Sequence, residues 1–346
     1  MKKFIALFIC ILFAISLIAC SADQTTDAEK ETSSESTVAE TTIEVKSKKV
    51  AGVVFQEDQF MKLLQLGYQN AAESAGYEFV PGNTNGDAAK EVEYLNTFTT
   101  QGIAGLAISP ISEEASLEPL AKAAAEGLII GLSNSNLGNP DWMLSCYTSD
   151  NYQLGQSTGE ACLKFINEKL GGKANIGVLQ FKSLLPEQSG QRYQGFVDAL
   201  SGHDGIKIIA DQDAWMQDKA ITVASDMLTS NPDLNIIWAA NEGGTVGATM
   251  AIKNAGLAEK VFAFGTDASE QTIGMIQAED NILQAVTGQD PYQIGIKTME
   301  AVIAKIEGKD FGDEGKTVIV PGVVLDRSKP DEVEAFRKDL LAKISG

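Results

Sequence analysis

The sequence predicts an α/β protein made of two doubly wound parallel-sheet lobes. The chain has 346 residues, which exceeds one ordinary hydrophobic core. After Lys48, short apolar runs rich in β-branched residues alternate with longer helical patterns, the order typical of parallel sheets covered on both faces. This order restarts at "NIGVLQF" in the way that it began at "KVAGVVF", which indicates a second sheet.

Eleven segments are predicted to be β-strands, because each is a short apolar run bounded by turn or helix signals. Eleven strands are too many for one small sheet, which again favours two lobes. In chain order the segments are "KVAGVVF", "YEFVP", "GLAISP", "LIIGLS", "MLSCYTS", "NIGVLQF", "IKIIAD", "NIIWAAN", "VFAFGTD", "ILQAVTG" and "TVIVPGVVL".

The segments between these strands have the periodicity of amphipathic helices. The first of them, "QFMKLLQLGYQNAAESAG", shows the pattern. Its apolar face is expected to consist of Phe60, Leu63, Leu64, Ala71, Ala72 and Ala75. Its polar face is expected to carry Lys62, Gln65, Gln69 and Glu73.

Residues 1–20 are predicted to be an export signal. "MKKFIALFICILFAISLIAC" begins with a methionine and two lysines and continues with an apolar run that is too short for a stable membrane span. Its end, Leu17-Ile18-Ala19-Cys20, resembles the lipobox of bacterial lipoproteins, in which the cysteine is lipidated and becomes the new N-terminus. This resemblance implies a membrane anchor at Cys20 on the extracytoplasmic face, at the cell surface or in the periplasm. A plain secretory signal with a chance cysteine is the alternative.

Residues 21–47 are predicted to be a disordered acidic linker. Ser, Thr, Glu and Asp dominate this segment, and it offers almost nothing apolar to bury. The folded part of the chain is therefore expected to begin near Lys48.

The charge of the chain and the cysteines of its folded part disfavour several kinds of partner and cross-link. The formal net charge is −20, which favours solubility and argues against nucleic-acid binding. Of the four cysteines, Cys146 and Cys162 remain in the folded part. Export permits a disulfide between them, but their apolar surroundings favour two buried, free thiols.

Candidate ligand-binding residues follow the predicted strands, because ligands of open α/β sheets bind outside the carboxyl ends of the strands. Most of these residues have hydrogen-bonding side chains, and others are aromatic. This combination suits a neutral polyhydroxylated ring, whose hydroxyls bond planar polar groups and whose C–H surfaces pack on aromatic faces. The residues are Phe55, Gln56, Ser109, Ser133, Asn134, Asp150, Asn151, Phe181, Lys182, Trp215, Asn241, Glu242, Thr266, Asp267 and Gln289.

Arg192 lies in "QSGQRYQGF", at the predicted start of a helix, and this segment contains no acidic residue. A guanidinium group offers a rigid fork of donors to two adjacent ring oxygens, and a carboxylate such as Asp267 can accept hydrogen bonds from hydroxyl groups. We therefore expect Arg192 and Asp267 in the ligand site. The alternative for Arg192 is a solvated residue at a helix start.

Four segments resemble the ribose- and galactose-type periplasmic binding proteins of type I, the sugar-binding components of ABC importers. They are "QRYQGF", "AANEGGTVGA", "FGTDAS" and "GQDPYQIG", and the resemblance extends over nearly all of the folded part. It implies a hinge of three crossings, near Asp150, near Gln289 and around residues 316–321. The implied lobes comprise residues 48–150 plus 290–318 and residues 151–289 plus 319–346.

The resemblance also assigns roles to the candidate residues. It implies sugar hydroxyl contacts from Arg192, Asn241, Asp267 and Gln289, a ring enclosed by Phe60 and Trp215, and a pocket completed by Gln56, Ser109 and Asn134. Phe55, Ser133 and Asp150, at the same strand ends, are further expected ligand contacts. Ribose binders have an Asp-Arg pair after the fourth strand and Asn after the third, whereas this chain has Ser133-Asn134 and Ser109. These departures favour another pentose, a hexose or a polyol.

Three other functions are disfavoured. "GQSTG" fits the G-x-S-x-G nucleophile motif, but Ser157 lies inside a helical pattern, and His203, the only candidate base, is in a turn. No calcium-loop spacing is present, and we expect neither a metal nor another cofactor. Regulators of the lac-repressor type share the two-lobed core, but where they carry a basic helix-turn-helix this chain has the lipidation signal and the acidic linker.

The function expected from these observations is capture without catalysis. Two lobes of a monomer close around a small neutral sugar or polyol, and an ABC permease then distinguishes the loaded form from the empty one. The alternative is a receptor component that reports the same sugar to a chemoreceptor or a sensor kinase, because either partner would recognise the closed surface.

Overall fold

A computed structural model of the protein describes residues 47–345, which belong to one compact unit, Val45–Gly346. The predicted export signal, the lipidation site Cys20 and linker residues 21–46 lie outside the described residues. Within the described part of the chain, no helix is long and apolar enough to cross a membrane.

Strands and helices alternate along the described residues. The strands are β1 (Lys49–Val54), β2 (Glu78–Asn83), β3 (Gly105–Ile108), β4 (Ile129–Ser133), β5 (Cys146–Thr148), β6 (Ala174–Gln180), β7 (Ile206–Asp213), β8 (Ile236–Ala239), β9 (Phe262–Thr266), β10 (Leu283–Gly288), β11 (Thr317–Ile319) and β12 (Val323–Asp326). The helices are α1 (Gln59–Ser74), α2 (Ala88–Thr100), α3 (Leu117–Ala125), α4 (Asn151–Lys169), α5 (Pro186–Leu200), α6 (Gln217–Ser230), α7 (Glu242–Asn254), α8 (Glu270–Gln277), α9 (Pro291–Ile306) and α10 (Pro330–Ser345).

The strands form two six-stranded sheets, which confirms the predicted doubly wound α/β fold. The first sheet has the order β11-β5-β4-β3-β1-β2, and all of its pairs are parallel. The second has the order β12-β10-β9-β8-β6-β7, in which β12 pairs antiparallel with β10 and the other pairs are parallel. The two orders correspond position by position, so that β4 is equivalent to β9 and β3 to β8.

The segment "TVIVPGVVL", predicted to be one strand, forms two short strands in different sheets. β11 pairs with β5 and β12 pairs with β10. Pro321 lies between them, and proline lacks the N–H group that a continuous ladder requires. The prediction of a single strand is therefore wrong, and the chain changes sheets at this point.

The chain passes between the sheets at three places within the described residues. These are after β5, after β10 and between β11 and β12. The first two passages lie near Asp150 and Gln289. The division of the chain into lobes at the boundaries given above remains a prediction.

Helix α1 shows how the amphipathic pattern determines packing. Its buried apolar residues include Leu63, Leu64, Ala71 and Ala72, as predicted. Phe60 is half-buried against the core. Ala75, predicted on the same face, is exposed because α1 ends at Ser74 and Ala75 is its C-cap. α1 packs on α9, which in turn packs on β3 and β4 of the first sheet.

The two cysteines of the described chain are buried and free, as predicted. Burial raises the pKa of both the Cys146 and the Cys162 thiol, so each stays protonated and unreactive. Ser157 of "GQSTG" lies within α4, in agreement with its helical pattern, and His203 is exposed in the turn between α5 and β7.

Helices α4 and α5 approach closely because glycines lie at their contact. A Cβ atom at Gly155 of α4 would collide with the backbone carbonyl oxygen of Arg192 on α5, and one at Gly195 of α5 would collide with that of Tyr152. Only residues without a side chain let the two backbones come this near. The contact fixes Arg192 relative to the start of α4.

Replacing Gly155 by alanine is expected to destabilise the protein. The new methyl group has no space, so Gly155→Ala should lower the free energy of unfolding by about 1 to 3 kcal/mol. Gly190→Ala is the matched control, because a Cβ atom at Gly190 of α5 meets nothing within 4 Å. It should raise the free energy of unfolding by about 0.5 to 1 kcal/mol. Urea unfolding measures both, and equal stability of the two variants would contradict the close packing.

Candidate functional site

Loops that follow strands of both sheets enclose a cavity of about 630 Å³, called here the larger cleft cavity. Cavities of about 520 and 660 Å³ exist elsewhere, so size alone does not select the site. Those two lie at the amino-terminal ends of strands, whereas ligands of open α/β sheets bind at the carboxyl ends. The larger cleft cavity is lined by Phe55, Gln56, Glu57, Asp58, Gln59, Asn85, Gly86, Leu184, Trp215, Met216, Gln217, Asn241, Glu242, Gly243, Glu270 and Gln271.

A second cavity, of about 150 Å³, lies between the two sheets beside the passages of the chain and is called the smaller cleft cavity. Its walls come from the ends of β4 and β5, from the starts of α4 and α5, and from β11. The predicted site residues Asn134 and Asp150 line it, together with Asn151 and Gln188.

Arg192 is 3% exposed, and its guanidinium group contacts several other residues of the protein. Nε donates to the Asn151 side-chain oxygen at 2.9 Å, and Nη1 donates to the Ala240 carbonyl oxygen at 2.7 Å. Nη1 also lies 3.8 Å from a carboxylate oxygen of Asp267. The guanidinium carbon, Cζ, lies over the Phe181 ring, 5.1 Å from the ring centroid. The solvated alternative for Arg192 is therefore wrong.

Asp267 joins Arg192 to the end of β10. One carboxylate oxygen accepts the backbone N–H of Glu242 at 3.0 Å, and the other accepts a hydrogen bond from the Gln289 side-chain amide. Asp267 has φ of 75°, a left-handed conformation that aspartate tolerates better than most residues. Asn134, at the equivalent position after β4, has φ of 67°. Three predicted site residues thus form one connected group, in which Asp267 is ion-paired with Arg192 and hydrogen-bonded to Gln289.

Two predicted site residues cap helices. Asn241 is the N-cap of α7, where its side-chain oxygen accepts from Gly244 and its Nδ2 donates to the Trp215 carbonyl oxygen at 3.0 Å. Asp150 is the N-cap of α4 and accepts from the Gln153 backbone amide at 3.0 Å. Both line cleft cavities, and part of their hydrogen-bonding capacity already serves the backbone.

The remaining predicted residues divide between the cleft and the interior. Phe55, Gln56 and Trp215 line the larger cleft cavity. Phe60 is not among the residues that line it. The Ser133 hydroxyl lies 2.7 Å from that of Thr298 and faces α9 rather than the cleft. Ser109 is fully buried at the end of β3, and its hydroxyl has no partner among the described residues.

Two residues of the site were not proposed as ligand contacts from the sequence. They are Asp58 and Gln188. Gln188 donates to the Asn134 carbonyl oxygen at 2.7 Å. It precedes Arg192 by one helical turn, so its position on the same helix face was the signal that could have identified it.

The larger cleft cavity is acidic. Glu57, Asp58, Glu242 and Glu270 line it, and none of its described lining residues is Lys or Arg. Burial raises the pKa of Asp58 to about 6, although the Met61 backbone amide lowers it. An anionic ligand would meet several carboxylates here.

Glu242 is a second carboxyl group of this cavity with a raised pKa. Burial raises its pKa from 4.5 to about 7, and the carboxylates of Asp58 and Asp267 add to this shift, while a hydrogen bond with Ser269 opposes it. One carboxyl oxygen of Glu242 is buried without a hydrogen-bond partner among the described residues. Ionised Glu242 therefore opposes folding.

Comparison with known proteins agrees with the fold. A sequence profile of the periplasmic binding protein domain matches residues 52–310. The ABC transporter periplasmic-binding protein YphF of Escherichia coli (strain K12) is 26% identical over 277 residues, which cover 78% of this chain and 83% of that protein. The D-allose-binding periplasmic protein of the same strain is 26% identical over 258 residues, which cover 71% of this chain and 80% of that protein. A solved structure of a carbohydrate transporter solute binding protein from Agrobacterium radiobacter, in complex with D-arabinose, has a TM-score of 0.75 at 20% identity and covers 84% of this chain and 99% of that one.

Replacing Glu242 by glutamine is expected to stabilise the protein only where Glu242 is ionised. Because its pKa is higher in the folded state, this carboxyl group destabilises the fold as pH rises from 4.5 through about 7. Glu242→Gln should raise the free energy of unfolding by about 1 to 3 kcal/mol at pH 8 and by much less at pH 4.5. Denaturant unfolding of variant and parent at both pH values measures this, and a pH-independent difference would contradict the assignment.

Proposed function

The chain belongs to the periplasmic binding protein domain family, and from this membership we propose that it captures a monosaccharide or polyol between its two sheets and delivers it to an ABC permease. The relatives named for transport and for D-allose, and the structural neighbour that holds D-arabinose, support this class of ligand. No chemical step is required, because binding and closure suffice to signal that the protein is loaded.

The hydrogen-bonded group around Arg192 is the observation that carries the proposal. Asn151 and the Ala240 carbonyl engage Nε and Nη1, which leaves Nη2 for a ligand oxygen. Asp267 compensates the positive charge of Arg192. Its carboxylate can also accept a hydrogen bond from a ligand hydroxyl group. Paired donors and acceptors of this kind match vicinal hydroxyl groups.

The walls of the larger cleft cavity suit the rest of a sugar. Phe55 and Trp215 offer aromatic surface to C–H groups, and Gln56 offers a planar amide to hydroxyls. The carboxylates that line this cavity accept hydroxyl donors and repel anions, which favours a neutral sugar over a sugar phosphate.

The proposed location is the extracytoplasmic face of the cell membrane, with a lipid on Cys20 as the anchor. The lipobox-like end of the export signal supports this location, and an acidic linker would place the folded part away from the bilayer. We also propose a monomer, because both sides of the cleft come from one chain.

A panel of neutral pentoses, hexoses and polyols, including D-allose and D-arabinose, tests the proposed ligand class. At least one member should bind with one site per chain and a Kd of about 1 µM or tighter in titration calorimetry. The phosphate ester of that member is the matched control and should bind at least about 100-fold more weakly, because of the carboxylates in the cavity. Failure of every neutral member, or tighter binding of the phosphate, would contradict the proposal.

The lipid anchor is tested by changing one cysteine. Cys20→Ala should remove the acylation site, so the protein should leave the membrane fraction while its sugar affinity stays within about 2-fold of the parent. Cys10→Ala, inside the export signal, is the matched control and should leave the protein on the membrane. Membrane retention of the Cys20 variant would contradict the anchor.

A further inference from the structure

The start of α5 lacks a side-chain cap from its own sequence neighbours. α5 begins at Pro186 after the N-cap Leu185, and no side-chain cap hydrogen bond is present. The first N–H groups of a helix need acceptors, and a carboxylate is the most favourable one because of the helix dipole. An acceptor for this helix start must therefore come from elsewhere.

Glu113 provides it from the other side of the cleft. The Glu187 backbone N–H donates to a Glu113 carboxylate oxygen at 3.4 Å. Burial raises the pKa of Glu113, whereas the backbone amides of Glu187 and Gln188 lower it, so two amides of α5 act on this carboxyl group. Glu113 follows β3 of the first sheet, and α5 follows β6 of the second.

A similar contact exists at the start of α8. The Glu270 backbone N–H donates to the Gln59 side-chain oxygen at 2.7 Å. Gln59 belongs to α1, after β1 of the first sheet, and α8 follows β9 of the second. Gln59 and Glu270 line the larger cleft cavity, while Glu113 and Glu187 line the smaller one. The two contacts thus lie on different sides of the cleft.

We propose that Glu113 and Gln59 are closure residues, which cap α5 and α8 across the cleft and thereby set how far the protein is closed without ligand. The proposal rests on the capture function, because closure has a role only if the cleft admits a ligand. When the sheets separate, both helix starts exchange these acceptors for water, so the contacts stabilise the closed state alone.

Helix α5 links these contacts to the ligand site. Arg192 lies on α5 and forms the ion pair with Asp267. Gln188, in the first turn of α5, donates to the Asn134 carbonyl oxygen of the first sheet. A change that separates Glu113 from α5 therefore acts on the same helix that presents Arg192 to the ligand.

Glu187 offers a variant with the opposite effect. Its negative charge lies near Glu113 and raises the pKa of that carboxyl group. Glu187→Gln removes this repulsion and keeps the backbone N–H that Glu113 accepts. Glu187→Gln should strengthen closure, whereas Glu113→Ala should weaken it. General damage to the fold would not shift closure in opposite directions in the two variants.

Hydrogen–deuterium exchange of the ligand-free, full-length protein in detergent tests the proposal, with exchange read at the first turns of α5 and α8. Glu113→Ala should speed exchange about 2- to 10-fold at both helix starts, including that of α8, which Glu113 does not touch. Gln59→Ala should have the same effect at the start of α5. Glu187→Gln should slow exchange at both. Glu114→Ala, at the neighbouring exposed acid, is the matched control and should change neither.

Faster exchange confined to the helix start that lost its own cap would overturn the proposal, because it would show local capping without closure. Exchange equal to that of the parent in both alanine variants would overturn it as well. No ligand is added, so these outcomes do not depend on which sugar binds. Failure of the closure proposal can therefore be distinguished from failure of the proposed function, which the sugar panel tests.

Discussion

The burial of the Arg192 guanidinium group is the physical constraint on which the cleft depends. A cation that is 3% exposed must be neutralised and hydrogen-bonded, because an unpaired buried charge costs several kcal/mol. Asp267 supplies the opposite charge, and Asn151 and the Ala240 carbonyl accept hydrogen bonds. These contacts fix the orientation of the guanidinium group, so a ligand that binds Arg192, as proposed, would not have to order the side chain.

The two sheets make this arrangement possible through strand ends and helix starts. Asp267 follows β9 in a left-handed conformation and accepts the first amide of α7, where the helix dipole favours its negative charge. Asn151 begins α4, and Gly155 lets α4 approach α5 closely enough for Asn151 to reach Arg192. One arginine is therefore held by elements that follow strands of both sheets, because α4 follows β5 of the first sheet and Asp267 follows β9 of the second.

The sequence was sufficient to predict the fold, because the alternation of apolar runs and amphipathic helices is a local pattern. The error at "TVIVPGVVL" arose because two apolar strands adjoin there across Pro321.

The site was only partly predictable. Residues such as Asp150 and Asn241 directly follow strands whether they bind ligand or cap a helix, so residue type and position cannot separate the two roles. Asp58 has the sequence appearance of an ordinary acid at a helix start, and only tertiary packing shows that it lines the same cavity as Glu242. The partners of Arg192 likewise depend on contacts between distant segments.

The affinity of Arg192→Lys for the sugar selected by the panel tests most directly whether the oriented guanidinium group, and not its charge, holds the ligand. Lysine keeps the positive charge beside Asp267 but cannot bond Asn151, the Ala240 carbonyl and a ligand oxygen in one plane. We predict that Arg192→Lys remains folded and binds at least about 10-fold more weakly than the parent, close to the affinity of Arg192→Ala, in titration calorimetry. Binding of Arg192→Lys with the affinity of the parent would contradict this role of Arg192.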